Sequence, residues 1–176
     1  TASNFSAPSN FLVMTNGTFK FSVPTSAVTL DVFTSITTIP ASCALWMNSP
    51  NSIMYAHSTL NFQGALTCSS GTVNVGDNAD EMLNSNGALL TLSGGTINVS
   101  GRLDRPSFVA VTNINISGGT LNLNTVGSTS TTNSPFMVDV TGSSFNMSGG
   151  TIVIKNEGGT GAQDLGYNNT GCLADY

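Results

Sequence analysis

Apolar and polar residues alternate along most of the chain in short runs bounded by glycine. Residues 93–100 read SGGTINVS, residues 117–124 SGGTLNLN and residues 148–155 SGGTIVIK, with a weaker copy, SSGTVNVG, at 69–76. In each, a polar and glycine corner precedes a period-two alternation, which marks a β-strand with one buried face. Thr72, Thr96, Thr120 and Thr151 open the four related strands, so the repeat steps by 24, 24 and 31 residues. The extra residues of the last step are expected in TVGSTSTTN (125–133), a polar stretch without strand pattern.

A second alternating run stands before each glycine corner: LTCS (66–69), LTLS (90–93), INIS (114–117) and FNMS (145–148). Earlier still come FVAVT (108–112) and FMVDVT (136–141), with Pro106 and Pro135 near their starts and Pro50 similarly before SIMYA. Proline suits the first residue of a strand because it cannot donate to a central ladder. One repeat therefore reads as strand, bend, strand, glycine turn, strand, loop.

Stacking the repeats in register produces inward columns. These are Val73, Ile97, Leu121, Ile152; Val75, Val99, Leu123, Ile154; Leu66, Leu90, Ile114, Phe145; and Cys68, Leu92, Ile116, Met147. Every member is apolar or a thiol. A single repeat cannot bury such a face, whereas stacked coils can, each pairing its backbone with its neighbours. The glycine pair permits positive φ at the corner, and the preceding serine can hydrogen-bond the turn. The predicted fold is all-β: a right-handed parallel β-helix (solenoid) with irregular N-terminal coils or a cap.

Residues 61–176 carry the regular coils. Residues 1–60 are less regular, with strand-like runs at FKFSV (19–23) and VTLDVF (28–33), and ASCALWMNSP (41–50) reads as a covering loop. The two parts form one continuous domain or a segment of a longer chain. A two-sheet sandwich is the rival arrangement, disfavoured by the 24-residue step.

Composition narrows the function. Charged residues make up 7% of the chain, against roughly 25% in an average domain, while 23 Ser, 23 Thr and 20 Asn supply a surface of hydroxyls and amides. The only bases are Lys20, Arg102, Arg105 and Lys155 against nine acids. That excludes the basic footprint nucleic acid requires and a polybasic membrane patch. No apolar run approaches the roughly 20 residues of a membrane span. The chain starts at Thr1 without a signal peptide, as a mature product or a piece of a longer one would.

Candidate chemistry is sparse. His57 is the only histidine, so a Ser–His–Asp triad would have to use it. YAHST lacks a nucleophile-elbow pattern, and a loop or solvent-facing histidine is expected. Asp77, Asp80 and Glu81 in GDNADE offer oxygens for Ca²⁺, but the spacing matches no EF-hand, and a solvated loop is the plainer reading. A polysaccharide-processing or polysaccharide-binding β-helix would need converging charges. Asp139, facing Ala110 of the preceding FVAVT run, and Arg102, Asp104 and Arg105 of GRLDR are the places to look. A salt-bridged turn is expected at GRLDR. Cys68 falls in an inward column as a small core residue, and Cys43 and Cys172 could pair. The outward ladder Thr72–Asn74, Thr96–Asn98, Thr120–Asn122 breaks at Thr151–Val153, too soon for an ice-binding face. No catalytic, cofactor or metal residue is assigned.

SGGTINVSG, NINISGGTLNLN and FNMSGGTIVIKNEGGTGAQDLGYNNTG resemble the glycine-turn repeats of very large β-helical cell-surface proteins of Bacteroidota-type bacteria, which are exported by the type IX secretion system. The resemblance covers about 66–171. It implies a secreted or surface-attached segment of a longer polypeptide, structural or adhesive and not an enzyme. The partners it implies are the secretion machinery, outer-membrane surface components and glycans.

Overall fold

The computed structural model describes residues 3–5, 12–104, 111–127, 134–138, 140–155, 165–167 and 173–175. Every described element is a strand: β1 (Ser3–Phe5), β2 (Gly17–Phe21), β3 (Val28–Phe33), β4 (Thr37–Ile39), β5 (Cys43–Ala56), β6 (Leu60–Phe62), β7 (Ala65–Val75), β8 (Met82–Ser85), β9 (Ala88–Leu92), β10 (Thr96–Val99), β11 (Arg102–Asp104), β12 (Thr112–Leu123), β13 (Phe136–Val138), β14 (Ser144–Ile154), β15 (Leu165–Tyr167) and β16 (Leu173–Asp175). No described helix is long and apolar enough to cross a membrane.

All strand pairs are parallel. The larger sheet runs β1-β3-β5-β7-β10-β12-β14-β16, with β2 on β5 and β9 joining β7 and β12; the smaller runs β15-β13-β11-β8-β6-β4. Strands remote in sequence are thus neighbours, and each coil lies on the one before. This is a β-solenoid, and an antiparallel sandwich is excluded.

The four inward columns hold. Val73, Ile97, Leu121 and Ile152 are register partners in turn, as are Val75 with Val99 and Leu123 with Ile154. Leu66, Leu90, Ile114 and Phe145 follow one another in register, as do Cys68, Leu92, Ile116 and Met147. The columns continue upstream: Phe19, Leu45 and Leu66 in one, Leu30, Met54 and Val73 in another. The smaller sheet closes the core with Leu60, Leu83, Leu103 and Phe136, each on the last. Most of these side chains are buried, and each aliphatic one contributes about 1.5–3 kcal/mol.

The corners explain the glycines. Gly71, Gly95, Gly119 and Gly150 all have positive φ, between 71° and 80°, where a Cβ is penalised. They also stack: a Cβ on Gly95 would lie 2.5 Å from the Gly71 carbonyl oxygen.

Three expectations are corrected. ASCALWMNSP is no covering loop: Cys43–Ala56 is β5, paired over most of its length with β7. Its corner carries an insertion between Asn48 and Ile53, so Pro50 sits exposed at an irregularity inside β5. In place of the glycine turn, the Ser49 hydroxyl donates to the Val23 carbonyl at 2.7 Å and lies 2.8 Å from the Ser52 hydroxyl, which accepts the Val28 N–H at 3.2 Å. GRLDR is no turn either, since Arg102–Asp104 is β11. The strand before FMVDVT in the stack is therefore RLD, with Leu103 opposite Phe136, and not FVAVT. Residues 108–110 of FVAVT lie outside the described residues; its Thr112 opens β12.

The insertion in the repeat does fall after β12. Asn98 and Asn74 pair across 24 residues, Ser144 and Asn113 across 31. Residues 125–127 form an irregular segment there, and 128–133 lie outside the described residues.

Candidate functional site

The outer face of the larger sheet carries a polar column on the side chains that alternate with the core. Asp31, Tyr55, Asn74, Asn98, Asn122 and Val153 are successive register partners. The asparagines form an amide ladder. Asn98 Nδ2 donates to Asn74 Oδ1 at 2.8 Å, and Asn122 Nδ2 donates to Asn98 Oδ1 at 2.7 Å. A side-chain amide has two N–H groups and two acceptor lone pairs, so each ladder bond leaves one of each for a ligand.

At the Tyr55 end stands His57. Its Nδ1 lies 2.6 Å from Asp77 Oδ2 and its Nε2 lies 3.2 Å from Asp31 Oδ1. The imidazole stacks on Tyr55, with centroids 5.3 Å apart and planes 7° from parallel. Burial alone would lower the His57 pKa, but the hydrogen bonds and charges of Asp77 and Asp31 outweigh it and hold the pKa above its ordinary value. Both ring nitrogens face carboxylates, so neither is placed to take a proton from a nucleophile. His57 lies in the loop between β5 and β6, as expected, with its side chain 31% exposed and held between the carboxylates of neighbouring coils. The signal for this cluster was weak, because Asp31, His57 and Asp77 come from three different coils.

The GDNADE acids serve the chain itself. Glu81 accepts the N–H groups of Asp77 at 2.6 Å and Asn78 at 2.7 Å. Burial would raise its pKa, but these backbone donors bring it below the ordinary value. Among the described residues, no group of three or more His, Cys, Asp or Glu side chains is arranged to hold a metal ion.

Arg102 donates from Nε to Asp104 Oδ2 at 2.8 Å and from Nη1 to Asp80 Oδ1 at 3.4 Å. The side chains of Arg102 and Asp104 are 11% and 9% exposed, so this pair braces the smaller sheet and offers no open carboxylate. Arg105, Ala110 and Asp139 lie outside the described residues. Cys43 and Cys68 are buried free thiols, and burial pushes Cys68 up to about 11; Cys172 also lies outside the described residues.

A shallow groove of about 400 Å³ opens over the amide column, with Tyr55, Asn74 and Asn98 as its floor. Gly76 and Asp77, which follow β7, Thr125 and Val126, which follow β12, and Lys155, which follows β14, complete its lining at the C-terminal ends of the stacked strands. The 125–127 segment is pinned: Thr125 N–H donates to Val99 O at 3.1 Å, Val126 N–H to Ser100 O at 2.9 Å, and Asp80 N–H to Gly127 O at 3.2 Å. The irregular step of the repeat thus builds part of the lining. Sequence reasoning found the asparagine column but not the rest of the lining, which follows from where the chain leaves the strands.

Comparison with known proteins returns no match: no family model, no curated protein and no solved structure matches the chain.

Proposed function

We propose that this chain is a non-enzymatic, extracellular segment of a large secreted surface protein, with a structural and adhesive role. The observation that carries the reading is the parallel coil-to-coil ladder bearing a polar outer column. Backbone pairing from coil to coil makes a stiff rod that advances roughly 4.8 Å per coil. Repeated hydroxyls and amides give weak contacts that add through multivalency.

The charged groups support it further. His57, Asp31, Asp77, Glu81, Arg102 and Asp104 are engaged with other groups of the solenoid. Attachment to the cell surface and export by a type IX route belong to the same proposal and rest on the sequence resemblance alone.

The test is adhesion against turnover. Beads coated with the chain should adhere to glycan-coated surfaces and to cells, and the purified chain should release no reducing ends from any glycan. Sustained release of reducing ends would overturn the reading in favour of a polysaccharide-degrading β-helix.

A further inference from the structure

We infer that the groove over Tyr55, Asn74 and Asn98 binds a linear, uncharged polysaccharide lying along the solenoid axis, one sugar unit per coil. The inference rests on the adhesive reading and names its ligand class.

Three features of the groove carry it. The first is spacing. The floor residues are register partners on successive coils, so they recur at the coil pitch of roughly 4.8 Å, close to the length of one pyranose unit in an extended chain. A polymer laid along the axis meets the same groups at each unit. The second is valence. Asn74 and Asn98 are bonded to each other through one donor and one acceptor, and an amide retains a further N–H and lone pair. Fixed paired donors and acceptors match vicinal hydroxyls, which both give and take a hydrogen bond. Because the ladder already orients the amides, little side-chain freedom is lost on binding.

The third feature is the chemistry of the lining. Tyr55 supplies an aromatic body with a polar tip at one end, suited to a sugar's mixed apolar and hydroxyl surface. Its ring is held in place by His57. Val126 is 43% exposed and adds an apolar patch to the lining beside the asparagines. Charge is nearly balanced: Asp77 is paired with His57, and Lys155 is the cation at the margin. Neither a polyanion nor a polycation finds a matching field there. An uncharged, hydroxyl-rich chain does.

Native gel electrophoresis of the purified chain through gels containing hydroxyethylcellulose, xylan, pullulan or alginate tests this. Retardation by at least one of the three neutral polymers and none by alginate is expected. Val126→Arg, at an exposed position, should weaken retardation about tenfold or more, a loss of at least 1.4 kcal/mol, with an unchanged melting temperature. Tyr55→Ala should weaken it as well. Thr91→Arg, on the other outer arm of the coil, should leave it intact. No retardation by any neutral polymer, or a response to Thr91→Arg equal to that of Val126→Arg, would overturn the inference. The bead assay separates the two readings. Adhesion unaffected by Val126→Arg would overturn the groove as the glycan site and leave the adhesive reading standing. Retardation without bead adhesion would support the groove and count against adhesion.

Discussion

Gly119 lies so close over Gly95 that a Cβ on Gly119 would fall 2.6 Å from the Gly95 carbonyl oxygen. Gly119 also has φ of 75°. Two costs therefore meet at one atom: the left-handed backbone and the neighbouring coil. Gly119→Ala should destabilise by more than about 2 kcal/mol, since the left-handed conformation alone costs roughly 1–2 kcal/mol. Gly87 has φ of 74° with nothing within 4 Å of its would-be Cβ, so Gly87→Ala should cost only the conformational part, about 1–2 kcal/mol. Urea denaturation of the two variants measures the difference, and equal losses would show that the coils are not stacked at this corner.

Arg102 and Asp104 form a buried pair on a strand only three residues long. Removing the cation leaves a buried carboxylate without the guanidinium that balances it. Arg102→Met should cost about 3–5 kcal/mol, and Arg102→Met with Asp104→Leu should recover much of that. A double variant no more stable than the single would place the cost in packing instead of charge.

Two groups give stability opposite pH dependences. The His57 pKa is raised in the folded chain, so its contribution is fully present below the ordinary value near 6.5 and fades as pH rises through the folded pKa. The Glu81 pKa is lowered, so its contribution is present above the ordinary value near 4.5 and fades as pH falls through the folded pKa. Urea midpoints should decline on the alkaline side of 6.5, and His57→Gln should flatten that decline while leaving the acid limb unchanged. A decline that persists in His57→Gln would assign it to another group.

The buried thiols should be inert. With its pKa near 11, Cys68 is overwhelmingly protonated at pH 8, and the thiolate is the reactive form. In a Cys172→Ser background, native protein should react with Ellman's reagent only on the timescale of unfolding, and Cys43 should behave likewise because it is buried. Rapid native labelling of Cys68 would contradict its place in the core.

How much of this was legible in the sequence depended on the length of each arm. Strands of four or more residues with a glycine corner declare their register, so the columns through Val73, Ile97, Leu121 and Ile152 could be read directly. The β5 arm was missed because Ser49, Pro50, Asn51 and Ser52 replace the glycine pair, removing the punctuation that aligns it with β7. The Arg102–Asp104 strand was missed because three residues cannot show an alternation, and its charges suggested a turn. The asparagine column was visible as an outward ladder. The Asp31–His57–Asp77 cluster was not, since its members meet only when coils of unequal length are stacked.

The most direct test of the proposed role is the intact mass and location of the native polypeptide, measured on cells of the source organism by surface protease shaving and mass spectrometry. The proposal predicts that peptides of this chain are released from intact cells and belong to a polypeptide many times heavier than 18.0 kDa. A protein of about 18.0 kDa that is retained inside intact cells would contradict it.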